Sequence, residues 1–94
     1  MGKKKVSIAT LRGDIEAVAE LMQNVLEDTT VPRNIRGAVD EAKKVILSAT
    51  DDVAMSRAIY LLDDVSNDIN LPSHARTDIW TIISELETLK EKLG

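Results

Sequence analysis

Residues 29–39 read "TTVPRNIRGAV" and residues 69–79 read "INLPSHARTDI". An apolar residue, a proline and an arginine four positions after the proline recur at an offset of forty residues in a chain of 94. Proline fits the entry of a helix, where its missing N–H leaves no intrahelical bond unmade, so each segment marks a chain reversal followed by a new helix. The residues on either side of each reversal have the matching pattern. Upstream of the first, Ile8, Leu11, Ile15, Val18, Ala19, Met22, Val25 and Leu26 recur at spacings of three and four, one buried helical stripe between Ile8 and Asp28. Downstream, Ile35, Ala38, Val39, Ala42, Val45, Ile46 and Ala49 carry a second stripe.

The same logic predicts two further helices. Thr50 is placed to cap the third, with Asp51 and Asp52 in a first turn where the helix dipole favours carboxylates. Ala54, Ala58, Leu61, Leu62, Val65 and Ile69 are its expected buried side, and Pro72 starts a fourth helix whose face is Ile79, Ile82, Ile83, Leu86, Leu89 and Leu93. Shifting the chain by forty residues aligns Ile15 with Met55, Leu21 with Leu61, Met22 with Leu62, Val25 with Val65, Asp28 with Asp68, Val31 with Leu71, Pro32 with Pro72, Arg36 with Arg76 and Ile46 with Leu86. Any four amphipathic helices resemble one another in period. The matched Asp, Pro and Arg at the reversals go beyond that resemblance. The expected fold is an all-α, up-down four-helix bundle built from two similar helical hairpins, with both proline turns at one end and both termini at the other.

Composition agrees with one such domain spanning residues 1–94, with residues 1–7 as a flexible basic tail. A chain of this length buries roughly 60 to 65% of its unfolded surface, enough for a single core. The apolar fraction is 44% and almost wholly aliphatic, with no Phe. The absence of cysteine removes disulfides, thiolate metal sites and thiol nucleophiles together. Sixteen acidic against twelve basic residues give a net charge of −4, which argues against affinity for nucleic acid over the whole surface. No apolar run approaches the roughly 18 to 20 residues of a membrane span, and the start of the chain lacks a signal-peptide core, so a cytoplasmic protein is expected. The opening Met-Gly lacks the Ser or Thr that a myristoylation signal wants at position 6, where this chain has Val6.

Chemistry-bearing patterns are sparse. The single histidine, His74, lies beside a turn without a Glu-x-x-His partner, and the aspartates of helix three lack calcium-loop spacing, so neither a metal nor a cofactor is expected. Glycines are scattered at 2, 13, 37 and 94, which excludes a phosphate-binding glycine loop. Ser73 beside His74 is an early-helix residue, and no activated nucleophile is evident, so no catalytic residue is assigned.

Two surfaces remain as candidates. At the proline turns, Arg36 and Arg76 sit one turn inside their helices. There they can reach back to Asp28 and Asp68, or to the unpaired carbonyls that end the preceding helices, as turn braces. The alternative is that Arg33, Arg36, His74 and Arg76 converge as an anion or phosphate site, aided by the lysines of "GKKK" at residues 2–5, in an accessory nucleic-acid-associated protein. On the flank of the bundle, Tyr60, Trp80 and Ile83 align with Glu20, Asp40 and Lys43, so both aromatics of the chain occupy slots that carry charge in the first half. An exposed Trp beside Ile is a candidate surface for a protein partner or a second copy; the alternative is that Trp80 and Tyr60 pack on each other or flank the core. A non-enzymatic interaction or scaffold module is the leading expectation.

With these segments placed, "TVPRNIRGAVDEAKKV" at 30–45, "LLDDVSNDIN" at 61–70 and "LPSHARTDIWTIISELE" at 71–87 together resemble a small archaeal family of unknown function, number one-four-seven of the uncharacterised-protein-family series. The resemblance implies a cytosolic archaeal protein folded as a compact helical bundle. It implies no activity, cofactor or catalytic residue.

Overall fold

The computed structural model describes residues 6–93, and these form four helices and no strand: α1 (Arg12–Leu26), α2 (Arg33–Leu47), α3 (Asp52–Ser66) and α4 (Ser73–Leu93). Residues 1–5, which hold the lysines of the expected basic tail, lie outside the described part. Val6 donates its N–H to the Lys92 carbonyl at 3.0 Å and packs, with Ile8, against the core.

Each helix contributes one apolar stripe to a single core. Ile15, Met22, Val39, Ala42, Ile46, Met55, Ala58, Leu62, Ile79 and Leu86 are wholly shielded from solvent. Their three-and-four spacing puts each set on one side of its helix, so no helix can bury its stripe without the others. In the resulting arrangement α1 packs on α2 and α4, and α3 packs on α2 and α4. At one end Arg12 Nη1 donates to the Leu47 carbonyl at 3.1 Å, which ties the start of α1 to the finish of α2. At the other, His74 Nε2 lies 2.7 Å from Asp28 Oδ2, which ties the start of α4 to the turn after α1.

The two proline turns are stereochemically alike. Asp28 N–H bonds Val25 O at 3.1 Å, and Asp68 N–H bonds Val65 O at 3.1 Å. Asp28 Oδ1 accepts the Thr30 N–H at 2.9 Å, and Asp68 Oδ1 accepts the Asn70 N–H at 2.8 Å. In each case the carboxylate offers the backbone an alternative to the next helical bond, which stops the helix. The Val31 and Leu71 N–H groups then return to the carbonyls of Asp28 and Asp68. Proline disfavours a helical conformation in the residue before it, and Val31 and Leu71 are accordingly turned inward as buried plugs at this end of the core.

Four local expectations are corrected. α1 begins at Arg12, since residues 8–11 form tight turns with bonds from Thr10 to Ser7, Leu11 to Ile8 and Arg12 to Ala9. Pro32 precedes the first helical residue of α2, with φ −56° and ψ 149°, and Pro72 likewise precedes α4. The cap of α3 is Asp51, whose carboxylate accepts the Ala54 N–H at 3.3 Å, in place of Thr50. Ile69, expected on the buried side of α3, is 92% exposed, because α3 has already ended at Ser66 and Ile69 stands in the turn.

Candidate functional site

His74 and Asp28 link the two proline turns at 2.7 Å, and the arginines singled out beside them have unequal roles. Arg76 donates Nε to Ser66 O at 3.1 Å and Nη2 to Asp68 O at 3.0 Å and Leu71 O at 3.3 Å, so one guanidinium spans the finish of α3 and the whole turn. Arg36 donates Nε to Val31 O at 3.1 Å. Both bond backbone carbonyls, and neither bonds the carboxylate of Asp28 or Asp68. Arg33 is exposed in the first turn of α2.

Asp28 is the most strongly perturbed group here. Its carboxylate takes the Thr30 hydroxyl at 2.6 Å, the His74 ring at 2.7 Å and the Thr30 N–H, and these donors hold its pKa down from 3.8 to about 2. All three favour the charged form. His74 Nε2 is also 3.3 Å from Thr30 Oγ1. The His74 link between the two turns has no sequence signal, since the residue forty positions earlier is Asn34.

The flank of α3 and α4 has a different character. Tyr60 is 79% exposed and Trp80 57% exposed, while Ile83 is half-buried against the core. Val53 at 60% and Ile69 at 92% complete the four most exposed large apolar side chains among the described residues, and all four lie in the second half of the chain. Their counterparts forty residues earlier are Glu20 for Tyr60, Asp40 for Trp80, Gly13 for Val53 and Thr29 for Ile69. The first half uses polar pairs on this flank: Asp40 pairs with Lys44 at 3.0 Å, and Lys43, counterpart of Ile83, bonds Gln23 Oε1 at 2.7 Å.

Tyr60 lines a surface groove of about 300 Å³ between α3 and α4, with Ser56, Ile59, Asp63, Glu87 and Lys90. Trp80 and Ile83 lie on the same edge of α4 as Glu87, at helical spacing. A second groove, about 360 Å³, follows the seam of α1 and α4 past Val18, Leu21 and Leu89. Among the described residues no cluster of His, Asp or Glu is arranged to hold a metal, and no helix is long and apolar enough to cross a membrane.

Residues 2–89 match the family described as Uncharacterised protein family UPF0147. The chain belongs to this family. It is 46% identical over 78 residues to a UPF0147 protein of Methanocaldococcus jannaschii, covering 81% of this chain and 84% of that one. A UPF0147 protein of Archaeoglobus fulgidus is 43% identical over 77 residues, covering 80% and 87%. Two crystal structures are similar. That of MMP1188, a protein of unknown function, has a TM-score of 0.77 at 44% identity and covers 92% of this chain and 97% of its own. That of a UPF0147 protein from Thermoplasma acidophilum has a TM-score of 0.76 at 32% identity, covering 85% and 98%. The sequence resemblance to this archaeal family thus holds over nearly the whole chain. This UPF0147 protein carries its four most exposed large apolar side chains, among the described residues, in its second half.

Proposed function

We propose that this protein is a non-enzymatic, cytoplasmic protein-interaction module, an up-down bundle of two similar hairpins offset by forty residues, which binds a protein through the α3–α4 flank of Tyr60, Trp80 and Ile83. The bonds from Arg12 to Leu47 and from Val6 to Lys92 at one end, and from His74 to Asp28 at the other, support the alternation of helix directions. The matched bonds of the two turns support the offset. The observation that carries the functional reading is the asymmetry between halves. The same helical scaffold carries Glu20 and Asp40 in one hairpin and exposes Tyr60 and Trp80 at the matching positions of the other. Most of the Tyr60 and Trp80 surface lies in water rather than in the core, and aromatic side chains are the residues that dominate interface centres.

The phosphate-binding alternative has less support. Three donors of Arg76 are committed to carbonyls and His74 to Asp28, which leaves only Arg33 and the remaining amino groups of Arg36 for an anion.

Pull-down from an archaeal lysate, with and without nuclease, tests the reading. Tagged wild type retains a defined protein in both conditions, and the Tyr60→Glu and Trp80→Glu variants lose it. Material that disappears on nuclease treatment, or that both variants retain, refutes it.

A further inference from the structure

The outer face of α3 has an internal order that specifies its occupant. Seven residues, two full turns, separate Arg57 from Asp64, so they lie along one line of the helix with Tyr60 between them. All three are exposed, as is Asp63, and no ion pair within the described residues engages Arg57 or Asp64. Arg57 stands about 4.5 Å along the axis on one side of Tyr60 and Asp64 about 6 Å on the other. The charges are therefore opposite in sign and nearly equidistant from an exposed aromatic.

Such a row is complementary to itself when reversed. Resting on the proposed interaction role of this flank, we propose that the α3 face binds a second copy of this chain, with the two α3 helices antiparallel about a two-fold axis between Tyr60 and Leu61. In that arrangement residue 57 of each copy faces residue 64 of the other. Arg57 then opposes Asp64 twice over, Asp63 reinforces each pair, and the two tyrosines meet at the axis. A partner of unrelated sequence would demand no such reversal symmetry.

The first hairpin lacks every part of this device: Ala17, Glu20, Gln23 and Asn24 stand where the second has Arg57, Tyr60, Asp63 and Asp64. The area needed is also at hand. A stable interface takes about 800 Å² from each partner, which is about one seventh of the 5726 Å² surface of this chain. One face of a four-helix bundle is roughly a quarter of its surface. Val53 at the start of α3, and Ile83 and Trp80 on the adjacent edge of α4, supply apolar area around the centre.

Charge reversal tests the pairing directly. Light scattering and sedimentation of the full chain at low salt are expected to show a dimer that weakens as salt rises. Arg57→Asp places two aspartates opposite each other and Asp64→Arg places two arginines opposite each other. Each variant alone is expected to raise the dimer dissociation constant by about tenfold or more, since two pairs are reversed per dimer. An equimolar mixture of the two variants restores both attractions and is expected to recover the dimer. Circular dichroism confirms that both exposed-site variants remain folded.

A wild type that stays monomeric at its highest soluble concentration overturns the pairing, as do single variants that dimerise like wild type or a mixture that does not recover. These results are separable from failure of the interaction role. A monomer that still retains a Tyr60-dependent, nuclease-resistant partner overturns self-pairing alone, and a monomer that retains none overturns both.

Discussion

Replacing Arg76 with alanine deletes three hydrogen bonds to three carbonyls, those of Ser66, Asp68 and Leu71, whereas replacing Arg36 deletes one, to Val31. A hydrogen bond involving a charged donor contributes about 1.5–3 kcal/mol. The three bonds of Arg76 share one guanidinium, and the freed carbonyls of an edge turn regain water, so the sum falls well short of three times that value. A loss of about 2–4 kcal/mol is expected for Arg76→Ala and about 1–1.5 kcal/mol for Arg36→Ala. In a domain of this size the larger loss lowers Tm by about 10–20 °C. Urea unfolding followed by far-UV circular dichroism measures both variants against wild type. Arg76→Lys keeps the charge but cannot reproduce the planar fork, and its stability should fall between wild type and Arg76→Ala. Equal losses at the two arginines, or a lysine variant as stable as wild type, would refute the assignment of the second turn to one bridging side chain.

Four further outcomes follow from the same geometry. Asp51→Ala should cost about 1 kcal/mol as the lost cap of α3 while Thr50→Ala costs a few tenths at most, which paired denaturation curves will resolve. Asp28, whose folded pKa lies below its unfolded value, contributes stability that is complete above about pH 4 and is lost as pH falls toward 2; carboxyl-carbon NMR should place its midpoint near 2. Thr30→Val should raise that midpoint more than His74→Ala does, Thr30 being the larger cause. Leu62→Ala, at a wholly buried site, should cost about 2–5 kcal/mol, and Ile69→Asp, in the exposed turn, within about 0.5 kcal/mol by urea denaturation.

Much of the helical plan was legible because it is written as spacing. Pro32 and Pro72 located the helix entries to within a residue, and the stripes of Ile15 to Val25 and Ile79 to Leu89 are the buried faces observed. Ile69 departs from the periodic reading for a physical reason. It continues the period of α3 by four residues from Val65, yet the repeat aligns it with Thr29, a turn position, and the Asp68 carboxylate enforces the turn. Local periodicity carries no information about where a helix stops. Val31 and Leu71 were visible as matched positions but not as core, since a buried residue between two helices belongs to neither stripe. The exposure of Tyr60 and Trp80 was readable only through the comparison of halves. The unequal commitments of Arg36 and Arg76, and the contact of His74 with Asp28, depend on how turns meet in space, for which neither half holds a pattern.

The 3.0 Å hydrogen bond from Val6 to Lys92 gives the molecule a cyclic character. A short linker could join residues 6 and 93, and the α2–α3 connection at the exposed Thr50, between the buried Ala49 and the capping Asp51, is a natural place to cut. The permuted chain would run α3, α4, α1, α2, with the hairpins exchanged in order and every helix contact preserved. Because the halves are so alike, such a permutant would separate what the bundle owes to its packing from what it owes to the order of synthesis.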